Sequence, residues 1–246
     1  MKVILYGYGQ MGKKIYRQLL AENHEVLAVV SAVFDEKIEA PMLENLNGFD
    51  KEADILIDFS HPANLQDILN YSQNHQTKLV LATTGYSNDD LQAIKKASEH
   101  TAIFQSYNTS FGISMLVQIL KQASKQLYDA GFDIEILEKH HHRKIDAPSG
   151  TAKLLYDVIE NEIEDVHPVY DRSSLHQKRE REEVGIQALR GGTIFGEHEI
   201  MFAGLEEVIE IKHTALSRDV FVTGAIQAAK VLLNKAPGLY NLKNIY

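Results

Sequence analysis

"KVILYGYGQMG", residues 2–12, decides how the first part of this chain folds. Val3, Ile4 and Leu5 form a short apolar run of the kind that fills a buried strand, and Gly7, Gly9 and Gly12 follow in G-x-G-x-x-G spacing. A helical pattern over residues 11–22 comes next. In that context each glycine has a mechanical task. Gly7 makes the tight turn, Gly9 lets backbone approach a pyrophosphate, and Gly12 lets helix and strand pack closely. The helix N-terminus adds partial positive charge for an anion. Gly7, Tyr8, Gly9, Gln10, Met11 and Gly12 are therefore a candidate dinucleotide cradle, the alternative being a plain glycine-rich strand-to-helix turn.

Working outward, the runs "EVLAVVSAV", "ADILIDFS", "KLVLATTG" and "AIFQSYN" alternate with helical patterns at residues 11–22, 63–74 and 88–99, the last behind a Ser87 cap. Strand, helix, strand repeated predicts an α/β domain with a doubly wound parallel sheet. The texture changes after Asn108. A helix is expected over 113–128, then the strand "FDIEILEKH", in which Phe132, Ile134 and Ile136 alternate with Asp133 and Glu135. A second helix over 151–164 carries Leu154, Leu155, Val158, Ile159 and Ile163 as one stripe. Residues 169–185 mix acids and bases and read as a solvated loop. "VGIQALR", "GTIFGEHEIMFAG" and "EEVIEIKHTA" then complete a mixed or antiparallel sheet in an α+β domain, and a helix over 220–233 closes the chain before "NKAPGLY".

Composition narrows the function. A chain of 246 residues that is 44% hydrophobic can bury a substantial core. It contains no cysteine, which fits a reducing cytoplasm. No stretch approaches the ~20 apolar residues of a membrane span. A formal charge of −9 argues against non-specific nucleic-acid binding, so an anionic ligand needs a local positive site. Such a site lies in "HHHRK": His140, His141, His142, Arg143 and Lys144 at the end of the predicted strand. "APSG" breaks the chain behind it, and Ser149, Gly150 and Thr151 offer hydroxyls and free backbone N–H groups at a helix N-terminus, a setting that suits a small dianion. Lys144 adds a point charge and a proton, and an imidazole among cations can stay neutral and exchange protons near pH 7. The bland alternative is that Ser149 only caps a helix and the histidines decorate a solvated strand end. A metal site is a further alternative, with His140 and His142 on one face if the strand persists, but no third ligand stands at a familiar spacing.

The acid expected about 20 residues beyond the glycine turn, to hold a ribose 2′-hydroxyl, is missing. Ser31 and Ala32 occupy its place, with Asp35 and Lys37 nearby. No carboxylate stands at that position to repel a 2′-phosphate; Asp35 could still reach, while Lys37 could meet a phosphate, so use of both NADH and NADPH is expected.

Over residues 135–152 the chain reads E-I-x-E-x-H-x-x-x-K-x-D-x-P-S-G-T-A. That pattern resembles the signature of the 4-hydroxy-tetrahydrodipicolinate reductase family, also called dihydrodipicolinate reductases. The likeness runs along the chain through "GYGQMG", "DFS", "ATTG", "RGGTIFGEHEIMF" and "SRDVFVTGAIQAA". "ATTG" stands where the family commonly has "GTTG", and the glycine turn is one residue shorter than in many members. The resemblance implies an acid/base role for His140, protonation of the reduced substrate by Lys144, and substrate contacts from His141, from Ser149, Gly150 and Thr151, and from Arg218. Phe59 of "DFS", Thr83, Thr84 and Gly85 of "ATTG", Ser31, and Ser106, Tyr107 and Asn108 would line the cofactor. No metal is implied. The fold implied is a Rossmann-like domain of residues 1–107 and 219–246, plus a domain of residues 108–218 that binds a dicarboxylate substrate and builds a cytoplasmic homotetramer. The reaction implied is NAD(P)H-dependent reduction of 4-hydroxy-tetrahydrodipicolinate, with loss of water, on the diaminopimelate route to lysine.

Overall fold

The computed structural model describes residues 1–246. Two compact units divide the chain, one of Met1–Phe111 with Asp219–Tyr246 and the other of Gly112–Arg218.

The first unit begins with β1 (Lys2–Tyr6), α1 (Gln10–Ala21) and β2 (Glu25–Val30), then β3 (Met42–Leu43) and β4 (Ile55–Asp58). A 3-10 turn at Pro62–Asn64 precedes α2 (Leu65–His75), so the helix expected from residue 63 starts slightly later. β5 (Lys78–Leu81), α3 (Asn88–Ala97) and β6 (Ala102–Gln105) follow. Gly12, Ile15, Tyr16 and Leu19 are the buried positions of α1, the i, i+3, i+4, i+7 stripe of a helix lying on a sheet. α3 opens with a reciprocal capping box: Ser87 Oγ accepts from Asp90 N at 3.2 Å, and Asp90 Oδ2 accepts from Ser87 N at 2.9 Å. A cap of this kind stabilises a helix by ~1 kcal/mol.

The second unit takes up the chain near the start of α4 (Phe111–Asp129) and continues through β7 (Asp133–His140), α5 (Gly150–Glu162), β8 (His167–Val169), β9 (Glu183–Arg190), β10 (Gly196–Ala203) and β11 (Val208–Ala215). Its five-stranded sheet has the order β11-β10-β7-β9-β8. β10 is antiparallel to both β11 and β7, whereas β9 is parallel to β7 and β8, so the sheet is mixed. Ile134 and Ile136 of β7 are fully buried, and the same inward phase continues through Glu138 and His140. Two polar residues thus occupy positions that alternation would normally give to apolar ones.

The chain returns to the first unit with α6 (Asp219–Leu232) and β12 (Gly238–Tyr240). α6 packs against β4, β5, β6 and α1. Gly224 permits its close approach, since a Cβ there would run into Thr109 O. Lys78 Nζ donates to Leu232 O, Leu233 O and Lys235 O at 3.2, 2.6 and 3.0 Å and so closes the C-terminal end of α6. The seven strands lie in the order β12-β6-β5-β4-β1-β2-β3, every neighbour parallel. β1, β4 and β5 are buried on both faces, which is why their sequences are continuous apolar runs and not alternating ones. β3, β8 and β12 have two or three residues each, too few to leave a periodic trace in the sequence. No helix is long and apolar enough to cross a membrane.

Candidate active site

In the first unit, sheet order reverses at β1, whose neighbours are β2 on one side and β4 on the other. That reversal is the switch point at which open α/β sheets bind ligands beyond their carboxyl ends. The turn after β1 has the geometry such a ligand requires. Gly7 adopts a φ of +100°, and a Cβ there would lie 2.5 Å from Phe59 O. A Cβ on Gly12 would collide with Gly7 O, whereas nothing lies within 4 Å of a Cβ on Gly9. Gly9 is also the N-cap of α1, with no side chain capping it and no acid in the first turn. The helix therefore keeps its N-terminal donors and its positive end for an anion, and the residues present fit a pyrophosphate.

The remaining cofactor candidates follow the neighbouring strands: Phe59 after β4, Thr83, Thr84 and Gly85 after β5, and Ser106, Tyr107 and Asn108 after β6. All stand along one carboxyl edge. Thr83 is buried and its Oγ1 accepts from Ser60 N at 2.9 Å. Gly85 has a φ of +86°, Tyr107 is exposed, and Ser106 Oγ accepts from Asn108 N at 3.2 Å. Beyond β2, the Ser31 hydroxyl turns back to Val33 O at 2.9 Å. Asp35 pairs with Lys13, and Glu36 accepts from Tyr8 Oη at 3.0 Å, so both nearby acids are engaged by the first turns of the fold.

In the second unit, His140 ends β7 and Lys144 lies in the loop behind it. His140 is 8% exposed, and its Nδ1 is 2.6 Å from Glu138 Oε2. Lys144 Nζ pairs with Asp146 Oδ1 at 2.7 Å, and that hydrogen bond holds the Asp146 carboxyl below its usual range. His141 Nδ1 is buried without a hydrogen-bond partner; desolvation first, then the charges of Arg143, His140 and Arg218, disfavour its protonation. Arg218 is exposed and enters the cluster through that influence on His141. Ser149 caps α5, its Oγ accepting from Ala152 N at 3.2 Å and lying 3.0 Å from His198 Nε2. At 2% exposure its hydroxyl faces inward, while Gly150 at the head of the helix is exposed. Because β7 stops at His140, His142 does not share a face with it; His142 Nδ1 instead lies 2.9 Å from Gly192 O.

Glu138, Arg190 and His198 belong to this cluster; all three stand in motifs quoted from the sequence, but none was given a role there. Glu138 is fully buried and accepts two hydrogen bonds from the Arg190 guanidinium, at 2.7 and 2.8 Å, plus one from Ser149 N at 2.9 Å. Burial alone would push its carboxyl up, but the bonds from His140, Arg190 and Ser149 outweigh it and hold the carboxyl down at about 2. Burial, with His140 beside it, pushes His198 down to about 3, so its ring is neutral. Its centroid lies 5.2 Å from that of His140 in an edge-to-face contact. The available signal was the phase of β7, which places Glu138 and His140 inward together.

Two family models cover nearly the whole chain: "Dihydrodipicolinate reductase, N-terminus" matches residues 1–109 and "Dihydrodipicolinate reductase, C-terminus" matches residues 112–246. A 4-hydroxy-tetrahydrodipicolinate reductase of Exiguobacterium sibiricum is 48% identical over 246 residues, covering 100% of this chain and 96% of that one. One from Staphylococcus aureus is 43% identical over 100% of both chains. Among solved structures, a dipicolinate-bound dihydrodipicolinate reductase from Paenisporosarcina sp. TG-14 superposes with a TM-score of 0.83 at 22% identity, covering 100% of this chain and 99% of the other.

Proposed function

The chain belongs to the dihydrodipicolinate reductase family, and from that premise we propose that it reduces 4-hydroxy-tetrahydrodipicolinate to tetrahydrodipicolinate in the diaminopimelate route to lysine. One observation carries the reading: the end of β7 and the loop behind it bring His140, His141 and Lys144 to a cluster that also contains the N-terminus of α5 in an otherwise acidic chain. A substrate carboxylate is met by the N-terminal end of α5 at Gly150 and Thr151, with Ser149 holding the turn in shape. His141, whose Nδ1 has no partner within the chain, and Arg218 contact the same dianion.

Residues 1–107 with 219–246 bind the cofactor, and residues 108–218 bind the substrate. A bound nicotinamide supplies the hydride. Tyr8, Gln10 and Met11 with the three glycines hold the pyrophosphate end; Phe59, Thr83 to Gly85 and Ser106 to Asn108 line the rest. Hydride and one proton enter the substrate and one water leaves. Lys144 gives the proton that balances the hydride, with its charge kept in place by Asp146, and His140 exchanges protons as acid and base. NADH and NADPH both serve, because Ser31 presents no carboxylate to a 2′-phosphate and Asp35 is occupied by Lys13. The second sheet builds a homotetramer, supported by the exposure of Leu189, Val208 and Ile209 on its strands. A cytoplasmic location, expected from a cysteine-free composition, belongs to the same proposal.

The test is oxidation of NADH and of NADPH, followed at 340 nm with purified protein and freshly generated 4-hydroxy-tetrahydrodipicolinate. Turnover with both is expected. Turnover with one alone sinks the dual-cofactor reading, and none with either, despite cofactor binding, sinks the reaction. A sedimentation mass near a single chain would remove the tetramer.

A further inference from the structure

Glu138 stands at the junction of three parts of the proposed substrate site. One oxygen meets His140 Nδ1 at 2.6 Å, the other accepts from Ser149 N at 2.9 Å, and Arg190 bridges both at 2.7 and 2.8 Å. Arg190 also donates to Asp146 O at 2.6 Å, which ties the same carboxylate to the loop holding Lys144. On the other side of the imidazole lies Gly196, the first residue of β10. A Cβ there would sit 3.1 Å from His140 Nε2, so glycine keeps a side chain off that nitrogen. Glu138 and His140 each lie two residues apart on one strand with the same inward phase, and neither is close to any cofactor candidate in sequence.

We propose that Glu138 is the positioning residue of this site: it fixes the His140 proton on Nδ1, leaves Nε2 as the nitrogen that exchanges protons with the substrate, and holds the Ser149 turn in register with it. The inference rests on the acid/base role proposed for His140. An ionised carboxylate has no proton to give, so the neutral imidazole beside it must donate from Nδ1 and expose a lone pair on Nε2. When Nε2 takes a proton, the same carboxylate faces the imidazolium and stabilises it. Arg190 compensates the burial of Glu138, which would otherwise favour a neutral carboxylic acid. The other ionisable groups around the ring are His198 on β10, with His213 opposite it on β11, His141 next in the chain, and Lys144, whose charge reaches His198. His198 is neutral and so leaves the Glu138 carboxylate as the one anion in contact with the ring.

The experiment is ring-nitrogen NMR of ¹⁵N-histidine-labelled full-length protein, with His140 assigned by its absence in His140→Asn, alongside steady-state kinetics of Glu138→Gln. The wild-type neutral ring is expected as the Nδ1–H tautomer. A glutamine amide can donate to Nδ1, so Glu138→Gln should move the proton to Nε2. It should lower kcat by about 10- to 100-fold, leave KM for the cofactor within about twofold, and shift the kcat/KM limb due to the imidazolium to lower pH. Added to His140→Ala, it should cost nothing further in kcat. A wild-type Nε2–H tautomer overturns the proposal whether or not the variant folds. So does a folded Glu138→Gln with kcat within about twofold of wild type, or one that reduces His140→Ala by its full factor. Undiminished turnover in His140→Ala would instead remove the acid/base reading, and the tautomer result would still judge Glu138.

Discussion

Two carboxyl groups in this chain are fully buried, Asp58 at the end of β4 and Glu138 on β7, and their surroundings drive them in opposite directions. Asp58 receives neutral donors: Ser60 N at 3.0 Å, Ser60 Oγ at 2.5 Å and Tyr86 Oη at 3.0 Å. Desolvation prevails over those bonds and raises its pKa. Glu138 is desolvated too, but a guanidinium, an imidazole and a backbone N–H hold it at about 2. Hydrogen bonds from neutral groups orient a buried carboxyl without offsetting its desolvation; a cation in contact does offset it. The contrast runs through the candidate residues of each unit. The first unit offers backbone, glycines and hydroxyls, and the second offers charged side chains.

That division places the largest effect on removing a charge in the second unit. Lys144→Ala is expected to reduce turnover ~10²–10⁴-fold, the usual contribution of a general acid, with cofactor affinity unchanged in equilibrium titration. A parallel loss of cofactor binding would break the comparison.

The two buried carboxyls predict opposite pH dependences of stability. Glu138 titrates near 4.5 when unfolded and about 2 when folded, so its contribution is present above pH 4.5 and is lost as the pH falls toward 2. The difference amounts to about 3 kcal/mol. Asp58 has the reverse sign: its folded value is raised above 3.8, so its contribution is present below that pH and fades as the pH rises through the folded value. Urea unfolding across pH should therefore show a shallower acid limb in Glu138→Gln. In Asp58→Asn the decline above pH 4 should be shallower. Identical limbs in wild type and variants would show that contact with a cation is not what separates the pair.

Smaller effects are expected at the glycine turn, where Gly9 and Gly12 separate ligand approach from packing. Gly9→Ala adds a methyl to open space and should leave thermal stability within about 0.5 kcal/mol while weakening cofactor binding roughly tenfold. Gly12→Ala drives a Cβ into Gly7 O and should destabilise the fold by about 1–3 kcal/mol as well. Equal melting temperatures for the two variants would remove the distinction.

The doubly wound sheet was legible because strands buried on both faces must be apolar throughout, as β1, β4 and β5 are, and because helices between them carry their own period. The mixed sheet was legible from alternation in β7 and β10. β3, β8 and β12 were not, since a two- or three-residue strand is defined by its partner. His140, Lys144 and the Ser149 turn stood out because they are crowded within one short stretch. Glu138 lay in that stretch as well, yet an isolated glutamate on a strand carries no sign of whether a cation will face it.

By itself, then, the sequence determined which residues end strands, which glycines must stay glycine, and where positive charge concentrates, because these depend on neighbours a few positions away. Tertiary structure alone decided that Glu138 would be an ionised partner for His140. The β7–β9 register sets Arg190 beside His140, and the β7–β10 register sets His198 beside Glu138. The charge state of a buried carboxyl follows from what those distant strands bring into contact with it, and no local pattern encodes that.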